Sequence, residues 1–430
     1  MHKNKINVMT PKFASDFTCV GNDCEAHCCS VWDVPVDKKT YKALKKIGDI
    51  DIRQLASSNF KLTRASENEY AQIKMSTNGD CPMLDEENLC NIHKKCGPKS
   101  LPHTCQDYPR TPRWFGNQAE MSMALSCPEV SKNVLYDPEA MMITSIEQYE
   151  HQLNHGNIAG LKPTEFPGYL ALIRDFCFSV ALNYELNFEQ KLFIIGLYLK
   201  QSDPHLNNLQ RLSQLADSFN SMIDDGTLLI HYETLPSTPS IKWNFFATQD
   251  FHLVTHQYQS QNVSFSSIRK FDAFIECQQM LMNSLNTNQD TATRGRENTF
   301  TVANPDHAHF KYTEIQNSSE KYINEHFNQH PQILINFLLY SLYNDQLMVP
   351  LGKRPSEYFK IFILDILMLK SYLSGIAFQQ KELTKEWVIK LFHSYFRRRQ
   401  HNIGLINQMD ANIKKAEAQS EYIIFSLLKD

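Results

Sequence analysis

In the second part of the chain, apolar residues return at three- and four-residue intervals. Leu170, Ile173, Phe176 and Val180 mark one stripe, and Phe188, Leu192, Ile195 and Leu199 mark a second, opened by Asn187 as a cap. Leu209, Leu212, Ala216 and Phe219 form a third, and Val388, Leu391, Phe392 and Tyr395 repeat the period after Thr384. That spacing places each set on one face of a helix, so the stripes predict a helical array whose core they line. The first 135 residues read differently. N-G-D-C-P, K-K-C-G-P-K and Y-P-R-T-P-R interrupt any long period and predict loops and short helices. The expected fold is therefore mainly α: an amino-terminal cysteine-rich metal-binding domain over 1–135, then a multi-helix domain over 136–430. A polar run between 283 and 309 is expected to interrupt the second part as a flexible loop. No fixed-period repeat is present, which argues against a solenoid.

Length and charge narrow the classes. A chain of 430 residues buries a large core without disulfide staples. The start M-H-K-N-K-I-N-V-M-T-P-K-F has no apolar leader region, so the expected compartment is the cytoplasm, where thiols stay reduced. Apolar runs such as I-F-I-L-D-I-L-M-L are broken by charge, and no membrane span is expected. A net charge of -4, spread along the chain, offers no basic field for nucleic acid. The run R-R-R-Q-H from Arg397 reads as a helix carboxyl end or a contact for an acidic surface.

Cysteines change the picture most. Nine of the 11 lie between Cys19 and Cys127, four of them in C-V-G-N-D-C-E-A-H-C-C. In a reducing compartment such crowding points to metal ligation or a redox centre rather than disulfides. Asn22 or Asp23 reads as a helix cap, which would set Cys24 and Cys28 on one helical face and lower their thiol pKa values. No pair has the C-x2-C spacing on which zinc ribbons rely, whereas iron–sulfur clusters accept more varied spacings. The C-x3-C-x2-C signature of enzymes that cleave S-adenosylmethionine with a cluster is also missing, since its third position is Val31. His27, His93 and His103 are further ligands by chemistry. Cys96 reads as a bystander, and Cys177 and Cys277, on apolar helical stretches, read as core.

F-T-C-V-G-N-D-C-E-A-H-C-C-S-V-W, C-P-M-L-D-E-E-N-L-C, T-C-Q-D-Y-P-R and L-S-C-P-E, in this order between Phe17 and Glu129, resemble the flagellin lysine-N-methylase (FliB-like) family. The cysteine-rich part is also similar to a wider group of zinc- or iron-chelating domains. The resemblance implies Cys19, Cys24, Cys28, Cys29, Cys81, Cys90, Cys105 and Cys127 as the metal-ligand set of an iron–sulfur centre, [4Fe-4S] in type, with zinc as the alternative; which four hold a cluster, and whether the eight serve one centre or two, stays open. It further implies S-adenosylmethionine as methyl donor and flagellin as protein substrate. Cys96 has no counterpart in that pattern.

Methyl transfer to lysine requires a neutral amine, so a proton must leave a group of pKa about 10.4. Near the cysteines, Tyr108, Glu120 and Glu129 are the candidate bases, with Asp33 and Asp37 more distant. Arg110 and Trp32 are the candidates for holding the cofactor, Trp32 by offering an aromatic face to a sulfonium. Tyr41, Tyr70, Trp114 and Phe115 offer the same face. The bland alternatives are that Arg110 pairs with a structural carboxylate and that Tyr108 packs against the metal shell. No glycine-rich nucleotide turn is visible, so an open iron could hold the cofactor's amino-acid moiety instead. The alternative function is a non-catalytic zinc- or iron-binding module that docks a partner or senses redox state. The oligomeric state is left open.

Overall fold

The computed structural model of the chain describes residues 5–30, 34–77, 79–150, 153, 159–162, 164–255, 273–285, 305–347, 352–400 and 402–429. Among the described residues, eight strands can be numbered in chain order: β1 Lys5–Pro11, β2 Pro35–Val36, β3 Phe60–Leu62, β4 Ala71–Ile73, β5 Arg113–Phe115, β6 Gln118–Glu120, β7 Ile143–Tyr149 and β8 Ala159–Leu161. Helix dominates the rest, and the fold is mainly α.

Two small sheets stand where only loops and short helices were expected. The larger has the order β7-β1-β6-β5-β8. β1 runs antiparallel to β7 and parallel to β6, while β5 and β6 form a hairpin turned by Gly116 at φ +61°. Ile6, Val8 and Thr10 alternate with Asn7 and Met9 along β1, a period-two pattern that suits a half-buried strand. The same alternation sorts the faces. Val8, Ala119, Met121 and Leu153 share a small core on one side. Glu120 and Phe115 point the other way, toward the helices.

Because β1 pairs with β7, the sheet bridges residue 135. Phe13, Phe17, Met123 and Val134 belong to the same core as the helical stripes. The composition shift at 135 therefore marks a change in chemistry and not a break in packing. A separate core of Val34, Val36, Leu44, Ile52, Phe60, Ile73, Met83 and Ile92 makes the thiol-bearing segment a lobe on that body. Asp37 and Asp49 cap its two longer helices, accepting from Thr40 N at 2.9 Å and Ile52 N at 3.0 Å.

The expected helices form. Leu170, Ile173, Phe176 and Val180 are buried in Tyr169–Leu182, and Val388, Leu391, Phe392 and Tyr395 in Lys385–Arg399. Asn187 closes a reciprocal capping box with Gln190, each bond 2.9 Å, at the start of Phe188–Ser202. Asn187→Ala should cost about 1 kcal/mol, read as a lower denaturant midpoint with an unchanged slope.

At the centre lies Pro355–Gln380, 26 residues and apolar nearly all round. By length and composition alone it could cross a membrane, contrary to the expectation drawn from its interrupted apolar run, but 89% of its most apolar window is buried inside the protein. Asp365 in its middle is satisfied by Arg399, with Nη2 2.6 Å and Nε 3.1 Å away, and by the Tyr395 hydroxyl at 2.6 Å. At Gly375 an added Cβ would lie 2.4 Å from Leu281 Cβ, which lets the helix Ala273–Leu285 approach closely. Of the polar run at 283–309, residues 283–285 and 305–309 belong to helices, and 286–304 lie outside the described residues.

Candidate metal centre

The thiols are carried by turns and helix starts, not by one helix. Gly21–Asp23 is a single 3-10 turn, and Cys24 follows in extended backbone with φ -76° and ψ 118°. The helix expected to align Cys24 with Cys28 does not form. C-E-A-H-C-C-S has no apolar face to bury, and a short helix without one is marginal. Cys29 is tied to Cys81 by a backbone bond, Cys81 N to Cys29 O at 2.8 Å, which joins the first cluster to the second across more than fifty residues of chain.

Mutual electrostatic influence sorts the sulfurs into two groups. Cys28, Cys81, Cys90 and Cys105 lie within electrostatic reach of one another, with Cys29 beside Cys28, Cys81 and Cys105, while Cys24 and Cys127 form a second group around Cys19, and Cys24 is linked to Cys28. Cys96 stands apart, responding to burial, Asp49 and Lys95 and to no other thiol. Cys177 and Cys277 are fully buried among core residues.

Burial raises most of these thiols: Cys81 and Cys127 to about 11, and Cys24, Cys90 and Cys105 upward as well. Cys28 is the exception. The Cys29 thiol donates to it and brings it down to about 7, and Cys29 is pushed up in return. The lowered value has its source in that neighbour, not in a helix dipole. Backbone amides are aimed at several sulfurs: Ala26 at Cys24, Met83 at Cys81, Ile92 and His93 at Cys90, and Glu129 and Val130 at Cys127. Cys90 and Cys127 gain theirs by standing at the N-caps of Asn91–Cys96 and Pro128–Tyr136.

This donor set fits a thiophilic metal. Clustered, half-buried sulfurs hold their protons unless a cation offsets their charge, and amide N–H groups directed at sulfur stabilise the thiolate form that ligates. Among the described residues, no three Cys, His, Asp or Glu side chains converge closely enough to hold one ion as they stand.

The other candidates separate cleanly. Tyr108 is within electrostatic reach of both Cys127 and Cys28. Its hydroxyl is 3.2 Å from Ser126 Oγ, and burial raises its pKa, so it keeps its proton and serves better as donor than as base. Glu120 is removed from the centre: both of its oxygens accept from Arg174, at 2.8 and 3.0 Å, on the helical face of the sheet. That buried bidentate pair is structural and leaves no lone carboxylate to act as a base. Glu129 sits beside Cys127 but pairs with Lys132 at 2.8 Å. Arg110 lies over the Phe17 ring at 5.5 Å. Trp32 and Asp33 lie outside the described residues.

His27 faces Asp80 at 3.9 Å and His103 faces Asp37 at 3.8 Å. His93 contributes its backbone amide to Cys90. Tyr41 and Tyr70 pack edge to face at 5.4 Å under Lys45 and Lys38, Trp114 packs on the small core of the sheet, and Phe115 carries the Arg174 guanidinium at 3.3 Å.

One residue was invisible to pattern reading. Arg397, from the helix Lys385–Arg399, donates to the Ser30 carbonyl and, at 3.0 Å, to its hydroxyl. Its charge favours ionisation of Cys24 and Cys28. In sequence it is the first of three arginines at a helix end, and nothing there distinguishes it from a solvated one.

Comparison with known proteins agrees with this division of labour. The CxxCxxCC domain, described as zinc- or iron-chelating, matches residues 18–128, and the FliB lysine N-methylase C-terminal domain matches 174–427. The chain belongs to the FliB lysine N-methylase family. It is 22% identical to a lysine-N-methylase of Salmonella typhimurium and 23% identical to one of Salmonella choleraesuis, over 99% of this chain and of each relative. It is also 39% identical to the flagellar biosynthetic protein FliU of Salmonella muenchen, over 32% of this chain and 83% of that protein. No solved structure matches the chain. The activity class of this FliB-family chain is lysine N-methylation, with the chelating lobe and the helical body as its two matched parts.

Proposed function

We propose that this methylase transfers a methyl group from S-adenosylmethionine to flagellin lysines and that four of its eight grouped cysteines hold an iron–sulfur cluster, [4Fe-4S] in type, in the cytoplasm. The observation that carries the cluster is the arrangement of the thiols. Around one zinc ion, bonds of about 2.3 Å would draw the sulfurs to about 3.8 Å from one another. Here Cys28, Cys81, Cys90 and Cys105 lie within electrostatic reach of one another, while among the described residues no three ligating side chains converge on a single point. A polynuclear centre, whose irons present separate ligand positions, accommodates that spread. Flagellin as substrate is supported by the flagellar name of the FliU relative.

Bound beside the centre, S-adenosylmethionine would supply an electrophilic methyl on a sulfonium. The lysine Nζ must arrive neutral; it forms the new N–C bond as the methyl's C–S bond breaks, and a thioether departs. Tyr108, held protonated within electrostatic reach of Cys127 and Cys28, is placed to orient a polar group there, and desolvation in the lobe favours the neutral amine. Protein purified without oxygen should contain iron and acid-labile sulfide and should add mass to flagellin lysines when given S-adenosylmethionine. Zinc without sulfide would refute the cluster. An iron-loaded sample that binds flagellin yet adds no methyl group would favour the partner-docking alternative.

A further inference from the structure

A cleft of about 400 Å3 opens between the sheet and the segment that follows Cys105. Phe17 and Arg110 form one wall, Gln106 and Asp107 the rim, and Met121 and Met123 the apolar floor. The backbone bridge between Arg110 and Met123 ties wall to floor. Wall and rim are both continuous with the thiol centre. Cys19 is two residues beyond Phe17 and Cys105 adjoins Gln106, so successive Cα steps of about 3.8 Å keep the cleft within about 8 Å of two proposed ligands along the backbone.

We propose that this cleft is the S-adenosylmethionine site, an inference that rests on the methylase reading above. Its chemistry is that of a zwitterion carrying a flat apolar ring. Arg110 suits the carboxylate of an amino-acid moiety, Asp107 the ammonium or sulfonium, and Phe17 with Met121 and Met123 the adenine face. The volume falls in the range that encloses a ligand of nucleoside size, whereas a lone lysine side chain would leave much of it empty. Strand alternation accounts for the exclusion of Glu120: Ala119 and Met121 face this side of the sheet, and Glu120 faces Arg174 on the other. The carboxylate anchor is then a guanidinium of this chain and not an open iron.

The test is calorimetric binding of S-adenosylhomocysteine, which has no methyl to transfer, to the whole iron-loaded protein. Arg110→Ala should weaken binding roughly tenfold or more, the loss expected of one charge-assisted contact. Ser15→Trp, on an exposed residue at the cleft's edge, should block it by volume alone. Iron content and circular dichroism should match the parent in both. A parent that binds S-adenosylhomocysteine while both variants bind it equally well overturns the cleft and leaves the donor reading standing. A parent that binds neither S-adenosylhomocysteine nor S-adenosylmethionine overturns the donor reading and the cleft with it.

Discussion

Cys28→Ser should empty the metal centre and abolish lysine methylation, while Cys96→Ser should leave both close to the parent's. Cys28 perturbs Cys81, Cys90 and Cys105, and is linked to Cys24 in the second group. Its hydrogen bond with Cys29 also lowers its thiol pKa to about 7. Removing it takes out the point where the two sets of sulfurs meet. Altering a residue that merely orients a metal ligand costs about 10–100-fold in affinity or activity, so losing a ligand at this junction should exceed about 100-fold. Cys96 lies at the end of Asn91–Cys96 and responds to burial, Asp49 and Lys95 and to no other thiol. Cys177→Ser and Cys277→Ser, both in the helical core, should lower stability and leave metal content unchanged. Iron and sulfide per chain measure all four variants. Equal metal loss in Cys28→Ser and Cys96→Ser would refute the grouping.

What could be read from the sequence depended on whether the signal was periodic. Helical stripes such as Phe188, Leu192, Ile195 and Leu199 are legible because burial of one face repeats every turn. The presence of a chelating domain was legible through the cysteine motif set, which falls within the matched span 18–128. The helix drawn through Cys24 and Cys28 was not there, because four-residue spacing between thiols carries no burial signal and the residues between them are polar or small. The alternation of β1 was present in I-N-V-M-T, but five residues cannot announce a strand when the partner, β7, lies more than 130 residues away. The cleft was beyond reach for the same reason. It is assembled from Phe17, Arg110 and Met121, which only sheet pairing and a backbone bridge bring together.

The arginine run shows the same limit most sharply, and it supports the second large effect: Arg399→Met should destabilise the protein by about 3–5 kcal/mol. Arg397, Arg398 and Arg399 look like one cationic helix end, yet each has a different buried or half-buried partner: Ser30, the Leu253 carbonyl and Asp365. Arg399 and Asp365 are both nearly inaccessible, at 4% and 2% of side-chain surface, and Asp365 lies in the middle of the central helix. Taking away the guanidinium leaves a buried carboxylate without that counter-charge, with the Tyr395 hydroxyl, among the described residues, still donating to it. Asp365→Asn added to Arg399→Met should recover much of the loss, since the amide oxygen still accepts from Tyr395 and no charge is stranded. Arg397→Met should behave in the opposite way. Its partner is the loop that follows Cys28 and Cys29, so global stability should change little while metal retention falls. Denaturant unfolding and iron content, measured on the same samples, separate the two. If Arg399→Met unfolds within about 1 kcal/mol of the parent, Asp365 is not the buried charge that the packing of Pro355–Gln380 requires.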